Sequence, residues 1–159
     1  MLEGIFAPFS DWGLLILRIR LGIILLAHGR LKVNPNGPVK GPANFGASLK
    51  QMGIPLSGLL AWIVVLQETV GAALLVLGLG TRILAILYAI EMLVIILYFK
   101  RRVWKLGFMA QRSTGWELDF AVLSGALALL FTGAGGIALD WIFVYKIIRK
   151  KQRTNELND

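Results

Sequence analysis

Few residues in this chain can do chemistry, and most of them stand inside apolar runs. The stretch LAHGRLK (26–32) holds the single histidine, His28, and Lys32 follows four positions later on the same helical face. Arg18 and Arg20 lie earlier in that run, Glu68 and Glu91 near the middles of the next two, and Glu117 at the start of a fourth. Ionisable groups at membrane depth cost roughly 2.5–3.5 kcal/mol each on insertion scales, so they turn inward and pair. Two arginines and two glutamates at comparable depth can cancel their charges. Arg18 and Arg20, two residues apart, point about 200° from one another. One is expected to face the bundle, and the other to snorkel or to meet another helix or subunit. Glu68 shares its face with Gly71, Ala72 and Leu75, small enough to admit a close partner helix, so it is expected inward with Arg18 opposite it. Glu91, beside Leu87, Tyr88 and Ile95, can point either way.

These positions define a candidate polar pocket of Arg18, His28, Lys32, Glu68 and Glu117, roofed by the first and third loops. Histidine exchanges protons near neutral pH, so His28 can act as donor and acceptor, with Glu117 orienting it or relaying protons. Plainer readings stand beside this one. Glu117 also fits the acid of a Thr114-x-x-Glu117 capping box, His28 an interfacial hydrogen-bonding group, and Arg18–Glu68 a purely structural ion pair. Arg20, Arg82, Glu91 and Asp140 are assigned structural or anchoring roles, Arg82 at the interface and Asp140 as the cap of a last short helix.

The elements that must position these residues are helices. The chain is 57% hydrophobic with a mean hydropathy of +0.71, against about 45–50% apolar for a soluble domain. The excess is gathered into four runs at about 12–33, 56–79, 81–99 and 115–132. A membrane span needs about 20 predominantly apolar residues. The expected fold is therefore all-α: a polytopic four-transmembrane-helix bundle, one domain over 1–151. A short amphipathic interfacial helix occupies about 140–151 and a polar tail 152–159. Turn residues in NPNGPVKGP (34–42) end the first span. Pro55 suits a helix start, Thr81 can cap the third helix, and the short LGLGTR link (77–82) makes the second and third spans an antiparallel hairpin. The opening MLEGIFAPFSDWG has neither a basic n-region nor a small-residue cleavage site, so the first span is expected to be retained.

The net charge is +8. Its basic residues flank apolar runs rather than forming a water-exposed face, which points to membrane lipids and away from nucleic acid. They fall on both sides of the spans, so the positive-inside rule does not set the orientation. The chain has no cysteine. That removes thiol chemistry and thiolate metal sites, and no other ligand cluster suggests a metal.

Four stretches in order carry a resemblance: LRIRLGIILLAHGRLK, NFGASLKQMGIP, QETVGAALLVLGLGTR and GWELDFAVLSGALALLFTGAGGIALD. Together they resemble the DoxX family of small prokaryotic membrane proteins across most of 16–140. The resemblance implies a four-helix membrane bundle in the plasma membrane. It places the family's polar positions at Arg18, His28, Lys32, Glu68, Thr81, Arg82, Glu117 and Asp140. The loop KRRVWKLGFMAQRS, the basic C-terminal helix, Arg20 and Glu91 depart from that pattern. The family takes its name from a subunit of a thiosulfate:quinone oxidoreductase, and other members resemble parts of oxidoreductase complexes in sulfur metabolism or oxidative-stress defence. The implied function is a membrane-associated oxidoreductase subunit with a quinone as its ligand class. A soluble or membrane redox partner would supply electrons, and a homo-oligomer is compatible with it. The alternative is a non-enzymatic membrane protein that binds a lipid-like ligand or assists assembly of another membrane protein.

Overall fold

The computed structural model describes residues 7–110 and 114–143. Among these residues the chain is helical, with no strand. A 3-10 turn, Ala7–Phe9, leads into α1, Ser10–Val33. Helix α2 is Pro42–Gln51, α3 is Ser57–Leu77, α4 is Thr81–Val103 and α5 is Glu117–Thr132. Helix α2 falls within what the sequence reads as the first loop; Pro42 sits in its first turn, where the missing N–H costs nothing. Residues 139–143 are helical again. The interfacial helix expected over 140–151 and the tail after it lie outside the described residues from 144 onward.

Helices α3 and α4 are long and apolar enough to cross a membrane, with mean hydropathies of 2.0 and 2.2. A soluble core helix would hide most of such a surface. Only 33% of the α3 window and 39% of the α4 window are buried. Ile63 and Val70 on α3, Ile83, Ile90 and Leu97 on α4, Ile16 and Ile23 on α1 and Phe131 on α5 all face outward. An apolar exterior of this extent needs a lipid solvent.

Helix α1 packs along α3, α4 along α5, and α2 lies on the first part of α3. The shared core is built from Leu21 and Leu25 of α1, Ala72 and Leu75 of α3, Ala85, Tyr88 and Met92 of α4, and Val122 and Leu129 of α5. Close approach of α1 to α3 depends on Gly29: a Cβ there would lie 2.7 Å from the Glu68 carbonyl oxygen.

Neither α3 nor α4 is α-helical throughout. Residues Gln67–Gly71 form a π turn inside α3, and Ile95–Val103 form a π segment that closes α4. Each wide turn rotates the following residues relative to a regular helix, and such turns gather at functional sites. Glu68 sits in the first and Lys100 in the second.

Helix starts differ from the sequence expectation in four places. Thr81 is the first residue of α4 rather than its cap; Gly80 precedes it in a left-handed conformation. Asp140 does not serve a helix of its own. Its carboxylate accepts the backbone N–H groups of Gly80 at 2.8 Å and Thr81 at 3.0 Å, capping α4 from 59 residues away in the chain. The Thr114–Glu117 capping box does not form. Helix α5 begins at Glu117 itself, and the Thr114 hydroxyl instead accepts a hydrogen bond from Lys100. Pro55 likewise precedes α3, which begins at Ser57.

Candidate functional site

The candidate residues divide into two groups at opposite ends of α1. Near its start, Arg18 is fully buried and donates to the carbonyl of Ile137 in the segment after α5. Its guanidinium passes over Gly78 in the α3–α4 turn, where φ is +70° and no side chain would fit. Asp11 accepts from the Gly136 N–H at 2.7 Å. Arg82 lies alongside Gly133. With Asp140 holding the start of α4, this end of the bundle is a lattice of tertiary ties between α1, the α3–α4 turn and the glycine-rich stretch after α5. Arg20 is exposed and has no ion pair among the described residues.

The other end holds a cavity of about 340 Å³. Its walls are mostly apolar: Ile24 and Leu25 of α1, Phe45 and Leu49 of α2, Met92, Ile95 and Phe99 of α4, and Leu118 and Val122 of α5. His28, Lys32, Glu68, Lys100 and Asp119 place charge and hydrogen-bonding groups in that wall. Helix α2 and Trp104 close the cavity from the loop side.

Lys32 is the partner of Glu68. Its ammonium is ion-paired and hydrogen-bonded to Glu68 Oε2, whose side chain is only 3% exposed. The same ammonium lies 5.1 Å from the centroid of the Phe45 ring, a favourable cation–π distance. This corrects the expected Arg18–Glu68 pair. Gly29 brings Glu68 against the last turns of α1, level with Lys32 rather than with Arg18 near the helix start. The expected five-residue pocket is corrected in the same way. His28, Lys32 and Glu68 share the cavity, whereas Arg18 belongs to the opposite end and Glu117 does not line it. Glu117 Oε2 is buried against Gly115, without a hydrogen-bond partner among the described residues.

Behind Glu68 the polar chain continues. Glu91 Oε2 accepts from Gln67 Nε2 at 2.7 Å. Tyr88 donates its hydroxyl to the Gln67 carbonyl at 2.7 Å. Glu91 thus ties α4 to α3, in keeping with the structural role expected of it.

The fourth wall is held by Lys100, which the sequence reading had placed among the loop charges of KRRVWK. Its ammonium donates to the carbonyls of Thr114 at 2.8 Å and Gly115 at 2.9 Å and to the Thr114 hydroxyl at 3.3 Å, and Asp119 Oδ2 lies 3.7 Å away. An ammonium has three donors, so those of Lys100 are committed to fixing the segment before α5. Lys32 gives one donor to Glu68 and also lines the cavity. The signal for Lys100 was faint, because a lysine beside two arginines at a helix end looks like solvated charge. Only the π segment turns it inward.

Chemically, this is an apolar slot with the Lys32 ammonium, one histidine and the Glu68 carboxylate in its wall. It suits a molecule with an apolar ring and an oxygen acceptor. Among the described residues no group of three or more histidine, cysteine, aspartate or glutamate side chains is arranged to hold a metal ion.

The DoxX family profile matches residues 13–101, which span α1 to the end of α4 and include Arg18, His28, Lys32, Glu68, Glu91 and Lys100. A protein of Bacillus subtilis (strain 168), described as "Putative oxidoreductase CatD", is 32% identical over 134 residues, covering 84% of this chain and 88% of the relative. No solved structure matches the chain. The ordered helices, the apolar exterior and a match over more than half the chain lead to one conclusion: the protein belongs to the DoxX family and is a membrane protein.

Proposed function

We propose that the protein is the membrane subunit of an oxidoreductase system and that its cavity takes the ring of a lipophilic quinone. In this reading α1, α3, α4 and α5 each cross the plasma membrane as a four-span bundle, and a separate redox partner supplies the electrons. The observation that carries it is the cavity itself: about 340 Å³ of mostly apolar lining, with the Lys32 ammonium and His28 as its donors. Ligand pockets are commonly about 300–1,000 Å³, apolar, with a few placed polar groups, so a quinone ring fits and its tail would leave between helices. Lys32 and His28 would hold the carbonyl oxygens; the quinone would supply the two-electron, two-proton chemistry. Support also comes from the Bacillus subtilis relative, whose description names an oxidoreductase.

The same cavity would admit a lipid-like ligand with no redox chemistry, and its mostly apolar lining favours that second reading to the same degree. The deciding experiment is to purify the chain in mild detergent, record its absorption and analyse the organic extract by mass spectrometry. A retained stoichiometric quinone, or saturable quenching of Trp104 by added decylubiquinone that His28→Ala and Lys32→Met weaken at least tenfold, is the expected result. Lipid alone, with no quinone retained or bound, would remove the redox reading and leave the lipid one.

A further inference from the structure

The opposite end of the bundle holds a second cavity, of about 700 Å³, which the quinone reading does not use. It opens beside the turn that joins α3 to α4, the two clearest spans, and so lies at a face of the membrane. Trp12 and Trp141 are exposed at the same end, as indole rings are at headgroup level. Three features of the wall point to a ligand. Arg82 lines it with an exposed guanidinium that has no ion pair among the described residues. Asp11 lines it with a carboxylate that has no ion pair among them either. The Thr81 hydroxyl belongs to the same wall and is buried without a hydrogen-bond partner among the described residues, in a side chain only 1% exposed. The glycine-rich turn after α5 sets the two charges side by side. A Cβ at Gly133 would lie 3.4 Å from Arg82 Nη2, and one at Gly135 would lie 3.1 Å from Asp11 Oδ1. Residues two apart span at most about 7 Å, so a positive and a negative group face one cavity at close spacing without meeting. Both glycines have a φ of +80°, where glycine is favoured, and neither adds a side chain that would fill the space.

We propose that this cavity binds the headgroup of a phospholipid that carries a primary ammonium beside its phosphate, as phosphatidylethanolamine does. The phosphate lies against Arg82, whose planar fork of donors matches phosphate oxygens. The ammonium lies against Asp11, and the Thr81 hydroxyl donates to a phosphate oxygen. Ile83, exposed beside Arg82, and Trp141 give the acyl chains an apolar path to the membrane. The charges favour a zwitterion, because a simple anion would meet Asp11 and a simple cation would meet Arg82. Asp140, the remaining charged residue in the wall, is already satisfied, with one oxygen on the Gly80 N–H and the other on the Thr81 N–H. A carboxylate can only accept hydrogen bonds. A primary ammonium donates to Asp11, whereas a quaternary choline has no N–H to offer, and this difference sets the preference between the two zwitterionic headgroups.

The test is lipid retention by the full chain. The protein is reconstituted into vesicles of equal parts phosphatidylethanolamine, phosphatidylcholine and phosphatidylglycerol with identical acyl chains. It is then re-extracted in mild detergent, and the lipids it keeps are counted by mass spectrometry. The expected result is stoichiometric phosphatidylethanolamine, enriched about tenfold over phosphatidylcholine, the discrimination expected of one hydrogen bond to a charged group. Asp11→Asn keeps an oxygen for the Gly136 N–H but loses the charge, and it should abolish that preference. Arg82→Gln should lower retention of the phospholipid itself, and Arg20→Gln, at an exposed arginine of α1, should change nothing. Equal retention of the three lipids by the unsubstituted chain, which means annular lipid only, overturns the proposal. So does a preference for phosphatidylglycerol, or a preference that survives both Asp11→Asn and Arg82→Gln. The selectivity of the unsubstituted chain decides the matter even if a variant does not fold. Soluble phosphoethanolamine separates headgroup from lipid: its saturable binding to a chain that retains no phospholipid assigns the cavity to a free phosphorylated amine and overturns the lipid assignment.

Discussion

At the scale of single residues, the two arginines of α1 have opposite fates although they are two positions apart. Arg18 is sealed in the protein and holds the Ile137 carbonyl; Arg20 is exposed and without an ion pair among the described residues. Leaving a buried acceptor unmet costs about 1–3 kcal/mol, whereas an exposed substitution usually stays within about 0.5 kcal/mol. Arg18→Met should therefore lower unfolding free energy in detergent clearly, and Arg20→Met hardly at all; equal losses would contradict the placement. Lys32 and Glu68 make a stronger contrast. Removing one partner of a buried pair typically costs about 3–5 kcal/mol, and replacing both by apolar groups costs far less. Lys32→Met should destabilise by about 3 kcal/mol, and the Lys32→Met/Glu68→Leu double variant should recover much of that loss. Simple additivity in the cycle would mean that the two side chains do not interact.

Between elements, a few backbone contacts set the helix arrangement. Asp140 reaches across the chain to cap α4, and loss of a cap costs about 0.5–2 kcal/mol. Asp140→Ala should lower the thermal midpoint, and Asp140→Asn, which keeps one acceptor, should lower it less. Gly29 is the contact between α1 and α3, with the Glu68 carbonyl at the place a side chain would occupy. Forcing extra volume into a packed contact costs about 1–3 kcal/mol. Gly29→Leu should therefore separate Lys32 from Glu68, weakening any ligand bound in the cavity as well as the fold. Lys100→Met leaves the Thr114 and Gly115 carbonyls without their donor and loosens the residues just before α5, of which Thr114 lines the cavity. Protease cleavage near residue 110 should rise in that variant, with little change in the helical circular dichroism.

For the molecule as a whole, the proposed four-span arrangement makes a topological prediction that the lack of cysteine makes simple to test. Single cysteines introduced as Asn36→Cys and Gly107→Cys should react with an impermeant maleimide from one side of sealed vesicles. Leu79→Cys and Ile137→Cys should react from the other. Reaction of Ile137→Cys from the same side as Gly107→Cys would mean that α5 does not cross, and labelling of all four from one side would mean that α3 and α4 do not cross either. The cavity lies at the end bearing residues 36 and 107, so the same labels state which compartment the Lys32 site faces, a question that the balanced distribution of basic loops leaves open.

The sequence by itself determined the helical membrane character and the approximate extents of α1, α3, α4 and α5. Those are local properties, written in hydropathy, run length and the proline and glycine residues at the run ends. It also singled out His28, Lys32 and Glu68, because a charged or ionisable group in an apolar run is conspicuous wherever it points. Tertiary structure alone decided the pairing. The sequence pointed to Arg18 as the partner of Glu68, and the axial offset of α1 against α3, set by the Gly29 contact, chose Lys32 instead. It also turned Lys100 inward through a π segment that a uniform apolar stretch does not announce, and carried Asp140 to a helix 59 residues away. Side-chain direction depends on helix rotation and on long-range packing, and neither is a property of any short stretch of chain.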